Sequence, residues 1–182
     1  MRSVALSGVC EAAAVTTIEA DWEQRIATLW AGIDDHEPEE FLAKVRELTS
    51  ERVPDDANAL FELASANDST GHGDQAAPLY RQALDIGLTG ERRRRAVIQL
   101  ASTLRNLGRV EESVALLTAE REAGSDHLDD AVAAFLALAL ADAGREREAA
   151  SLALGALARH LPRYNRSLAY YAQALLDTPE PA

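Results

Sequence analysis

The side chains best suited to metal binding or nucleophilic chemistry are four histidines and one cysteine. His36, His72, His127 and His160 lie far apart in sequence, with no His-x-x-x-His pair and no acidic partner at ligand spacing. His36 and His72 fall in expected inter-helix turns, where a solvated imidazole is the plain reading. Gly71-His72-Gly73 lacks the preceding strand, the further glycine and the lysine that a phosphate loop requires. Cys10 has no helix terminus or cationic neighbour to lower its pKa, and a single cysteine excludes an intramolecular disulfide or a thiolate cage. Glu111, Glu112, Glu146 and Glu148 sit at expected helix starts, where they complement the helix dipole without acid–base chemistry. The expectation is a protein without enzymatic activity, cofactor or metal.

One basic cluster remains. Arg92-Arg93-Arg94-Arg95 places four cations where a helix should begin, against the dipole. At 100° per residue these side chains fan around the helix, so they form no basic stripe. Two readings stand: pairing with nearby acids such as Glu91 and Asp85, or a corner that reads an anion. The rest of the chain is acidic. Thirty Asp and Glu against 18 Lys and Arg give a net charge of −12 and a pI near 4.7. That balance argues against non-specific nucleic-acid binding and against docking on an anionic membrane.

The elements that would position these residues are helices. Ala is abundant, aromatics are 5% of the chain, and no alternating strand pattern occurs. In 182 residues three similar units recur. Leu60-x-x-Leu63-Ala64 runs to Gly71, then Ala76-x-x-x-Tyr80-x-x-Ala83-Leu84. Val97-x-x-Leu100-Ala101-x-x-Leu104 runs to Gly108, then Ser113-x-x-x-Leu117. Ala133-x-x-Leu136-Ala137-x-x-Leu140 runs to Gly144, then Ala149-x-x-x-Ala153-x-x-Ala156-Leu157. The turn glycines are 37 and 36 residues apart, a period that marks stacked supersecondary units. The recurring Ala64, Ala101 and Ala137 mark close helix crossings.

These units resemble the tetratricopeptide repeat, and are similar to a bacterial subgroup with three or four degenerate repeats and no assigned activity. The resemblance covers residues 57–162. Asn67 stands where the first unit should carry an aromatic, Glu120 replaces a small residue in the second, and the closing Pro is missing from the first two. The resemblance implies an all-α right-handed solenoid of antiparallel hairpins, about nine helices in all. Residues 1–16 read as a flexible leader rather than a signal peptide, since Ser3, Ser7 and Gly8 interrupt its apolar stretch. Residues 17–56 read as a divergent helical pair around Trp22, Ile26, Leu29, Trp30, Phe41, Leu42, Val45 and Leu48. Residues 163–177 read as a capping helix and 178–182 as a tail. The longest apolar run, Ala131 to Ala141, is too short to span a membrane, and a cytoplasmic location is expected.

In such arrays the first helix of each hairpin lines a concave face, and residues beside its packing stripe meet ligand. Carried over by position, the groove comprises Asn58, Phe61, Glu62, Arg95, Ile98, Gln99, Ser102, Arg105, Asn106, Phe135, Leu138, Arg166, Tyr170 and Gln173. Phe61, Ile98, Phe135 and Tyr170 are expected to form an apolar ladder across it. The Lys/Asn pattern that clamps a C-terminal carboxylate in some tetratricopeptide repeats is missing. The resemblance implies a protein-interaction module for an unidentified protein or peptide. Arg95 and Arg105 would favour an acidic or carboxylate-bearing segment. A homodimer that buries its concave faces is the alternative, and neighbouring helices filling the groove is a third reading.

Overall fold

The computed structural model describes residues 19–177, and every described element is helical. The expected leader at 1–16, Cys10 and the tail at 178–182 lie outside the described residues. Helix α1 covers 19–31 and runs through a single 3-10 turn, Ile33–Asp35, into α2, Pro38–Ser50. The remaining helices are α3 (Ala57–Ser69), α4 (Gly73–Ile86), α5 (Gly90–Asn106), α6 (Val110–Ala123), α7 (Asp129–Asp142), α8 (Glu146–Ala158) and α9 (Asn165–Asp177).

Local chemistry sets the boundaries. Pro38 starts α2, where its missing N–H has no helical partner to lose. Asp56 caps α3 by accepting the Ala59 N–H at 2.9 Å. The three repeat glycines do one identical job. Gly71, Gly108 and Gly144 have φ of 84°, 77° and 72°, a left-handed geometry that other residues adopt only with strain. In each case the next N–H reaches back five residues, His72 to Asn67, Arg109 to Leu104 and Arg145 to Leu140, at 2.8, 2.8 and 2.9 Å. This closes the first helix of each hairpin and reverses the chain.

Consecutive helices pack on one another from α2 to α9, and α3 also packs on α5 and α5 on α7. Contacts between α4 and α6, or α6 and α8, are weaker than these. The first helices of the hairpins are thus closer together than the second, so the stack curves toward them and they form its inner wall. The interior is three successive apolar clusters. Trp22, Ile26, Phe41, Leu42, Val45, Ala59 and Ala66 join α1, α2 and α3. Phe61, Ala64, Tyr80, Ala96, Leu100 and Leu104 join α3, α4 and α5. Ile98, Ala101, Leu117, Val132, Leu136, Ala137 and Ala149 join α5 through α8. Ala64, Ala101 and Ala137 are all buried, as close crossings require. Each hairpin covers the oily side of the next, the arrangement of a helical solenoid.

Candidate interaction surface

The arginine run organises the inner wall differently from expectation. Its acidic partners lie on α1, α3, α6, α7 and the α6–α7 connection, and Glu91 and Asp85 are not among them. Arg92 Nε donates to Glu62 Oε1 at 2.9 Å, while its two terminal nitrogens grip Glu23 at 2.8 and 2.6 Å. Glu62 also accepts the Trp30 indole N–H at 2.7 Å. Arg92 thus reaches across α3 to α1. Its bond to Glu23, ahead of the opposing effect of burial and helped by Glu62, raises its pKa, so this guanidinium stays charged. Arg93 pairs with Glu120. Arg94 is buried and lies 3.7 Å from Glu120, 3.4 Å from Asp126 and 2.7 Å from Asp129. Asp129 accepts from Ser125 and the Asp126 N–H as well as Arg94, and these bonds lower its pKa.

Glu120 therefore explains its own departure from the repeat pattern. It occupies a small-residue position, is buried, and is neutralised by two arginines from α5. Only the distant pairing was invisible in the sequence. An acid at a small, buried register position, with an unexplained arginine run at the start of the same hairpin, is the signal that points to it.

Arg95 is the exception in the run. It is exposed, and its guanidinium stacks over the Phe61 ring at 5.3 Å from the centroid. Among the described residues no carboxylate lies within ion-pair distance of it. Phe61 itself is fully buried and packs against Tyr80 at 6.2 Å between centroids. Ile98 is 6% exposed. The expected apolar ladder is therefore corrected: its first two rungs belong to the core, because Arg95, Tyr80 and neighbouring helices cover them. Glu62, 4% exposed, is likewise a buried ion-pair partner and does not line an open groove.

The open part of the inner wall lies further along. Gln99 and Ser102 are half-buried on α5, and Gln99 accepts weakly from Ser65 at 3.5 Å. Arg105 is paired with Asp142 at 3.0 Å and donates to Asn106 at 3.2 Å, so its charge is largely compensated. On α7, Phe135 is half-buried against the third cluster, Leu138 is 47% exposed, and Ala134 and Ala141 are exposed. Asn58 is half-buried near the start of α3. Arg166, Tyr170 and Gln173 form an exposed row on α9, with the Tyr170 and Tyr171 rings in edge contact at 5.7 Å.

A polar network missed by the sequence reading ties α3 to α4 and α5. Thr103 donates to Asp68 at 2.8 Å, and the Tyr80 hydroxyl, itself buried, lies 3.4 Å from Ser65. Burial raises the Asp68 pKa above the usual carboxylate range, with the bonds from Thr103 and Tyr80 opposing it. The histidines are dispersed. His36 lies 3.5 Å from Glu40, His72 is 3.0 Å from Thr70 and 3.4 Å from Glu39, His127 is 3.6 Å from Glu91, and His160 is 2.7 Å from Asp130. Both His36 and His72 are half-buried rather than freely solvated. Among the described residues no three His, Cys, Asp or Glu side chains converge as metal ligands, and no helix is long and apolar enough to cross a membrane.

Comparison with known families matches residues 57–175 to the model described as tetratrico peptide repeat. Among curated proteins and solved structures, none is significantly similar to the chain.

Proposed function

The chain belongs to the tetratrico peptide repeat family, and from that premise we propose that it is a protein-interaction module that holds a partner segment against α5 and α7. The family as a whole suggests protein–protein interaction; the particular surface is our reading. The observation that carries it is the inner face of α7, where Leu138, Ala134 and Ala141 leave apolar surface in water beside half-buried Phe135. Arg95, with no carboxylate partner among the described residues, supplies a cation on the neighbouring helix. Gln99 and Ser102 supply hydrogen-bonding groups between them. Such a surface suits a short helix or extended segment with apolar anchors and an acidic residue. Arg105 contributes less than expected, because Asp142 already satisfies it.

A displayed library of random peptides, selected on the full chain, tests this. The enriched peptides should combine apolar and acidic residues. Leu138→Glu, an exposed substitution that spares the core, should weaken a fluorescein-labelled selected peptide about tenfold or more, and Arg95→Glu should act similarly. Selected peptides that bind both variants as tightly as the wild type would place recognition elsewhere.

A further inference from the structure

Helix α9 is the last described helix, and it lies on α8 with no described helix following it. Its apolar stripe, Leu168, Ala172 and Leu175, faces inward, and Ala172 is fully buried. Tyr171 occupies the register position held by Leu136 in α7 and Leu100 in α5. Both of those leucines are buried, whereas Tyr171 is 64% exposed. Tyr170 is 70% exposed and Leu176 is 48% exposed. Among the described residues, the first-helix register thus reaches α9 with Tyr171 and Leu176 left exposed.

The exposed side of this helix carries a specific pattern. Arg166, Tyr170, Gln173 and Asp177 are spaced by four, three and four residues, so they fall in one straight row about 16 Å long. The row is self-complementary when reversed. It begins with a cation and ends with an anion, and its two interior residues are a phenol and a carboxamide. A second α9 laid antiparallel sets Arg166 beside Asp177 of the other copy and Tyr170 beside Gln173, twice over by symmetry. Such an isologous contact, in which residue i meets j and j meets i, is what a two-fold axis demands. Ala169 and Leu176 flank the row with apolar surface, and Ala169 is small enough to let two helices approach to about 8–10 Å.

We propose that α9 is a homodimer contact, with a second copy of this chain packed antiparallel on the Arg166–Asp177 row. This contact takes up only the α9 end of the expected groove, Arg166, Tyr170 and Gln173, rather than whole concave faces, and none of its residues lies on α5 or α7. It is also independent of the peptide reading, because Arg95 and Leu138 take no part in it.

Sedimentation equilibrium on the full chain, from micromolar to hundreds of micromolar, tests the contact. The mass should rise with concentration from 19.6 kDa toward twice that value. Asp177→Arg opposes like charges at both symmetric ends and should raise the dimer dissociation constant about tenfold. The exchanged pair Arg166→Asp with Asp177→Arg should restore dimerisation. Leu138→Glu should leave it unchanged. A wild type that stays at 19.6 kDa throughout, a dimer indifferent to Asp177→Arg, or an exchanged pair that stays monomeric would each overturn the proposal.

Discussion

Removing the Glu62 carboxylate should destabilise the N-terminal half of the stack by about 3 kcal/mol. The figure is built from its contacts. Glu62 is buried and accepts from Arg92 at 2.9 Å and from the Trp30 indole at 2.7 Å. Deleting one partner of a buried ion pair costs about 3–5 kcal/mol, and an indole N–H left without an acceptor costs about 1–3 kcal/mol more. Two bonds from Arg92 to Glu23 persist, at 2.8 and 2.6 Å, so the arginine keeps a counter-charge and loses only one charge-assisted bond, about 1.5 kcal/mol, which with the indole brings the total to about 3 kcal/mol. With a urea m-value of about 2 kcal/mol/M, Glu62→Ala should lower the unfolding midpoint by about 1.5 M. Glu62→Gln keeps one acceptor oxygen and should lose about half as much. The two tryptophans, Trp22 and Trp30, provide a fluorescence readout that circular dichroism can check. Adding Arg92→Met to Glu62→Ala should cost more again, because the two bonds to Glu23 are lost with it. A midpoint for Glu62→Ala within about 0.3 M of the wild type would refute the claim that this network is buried and coupled.

Two further predictions concern the α3–α5 network. Tyr80→Phe should cost about 1 kcal/mol or less, since the hydroxyl bond is long at 3.4 Å, while Tyr80→Ala should cost about 3–5 kcal/mol by emptying a fully buried site; thermal denaturation of both variants separates hydroxyl from ring. Asp68 has its folded pKa raised by burial, so the folded state holds its proton more tightly than the unfolded state. Its stabilising effect is complete below the unfolded pKa and is lost as pH rises through the folded value. Asp68→Asn can still accept from Thr103 through its amide oxygen. Its stability relative to wild type should therefore increase as pH rises above the ordinary aspartate range, which urea titrations at stepped pH would show.

The fold was readable from its small residues and its glycines. Ala64, Ala101 and Ala137 had to face a neighbour, and Gly71, Gly108 and Gly144 had to adopt positive φ, whatever the partners were. The inner wall was harder to read because periodicity assigns a face to a residue without saying what lies on that face. Phe61 and Glu62 stand at groove register, yet Arg95 lies across one and Trp30 and Arg92 close over the other. The arginine run carried the same ambiguity. Its acids lie 26 to 69 positions away in the chain, beyond the reach of any local pattern. Glu120, a mismatch in its own repeat, becomes intelligible only beside Arg93 and Arg94.

The grip of Arg92 on Glu23 has a mechanical consequence. A stack whose units touch only their neighbours can fray from its end, one hairpin at a time. Here a guanidinium on α5 holds α1 directly, with α3 between them, so the first hairpin cannot peel away without breaking a bond to the third. The N-terminal half should therefore melt cooperatively, as a single block of three hairpins.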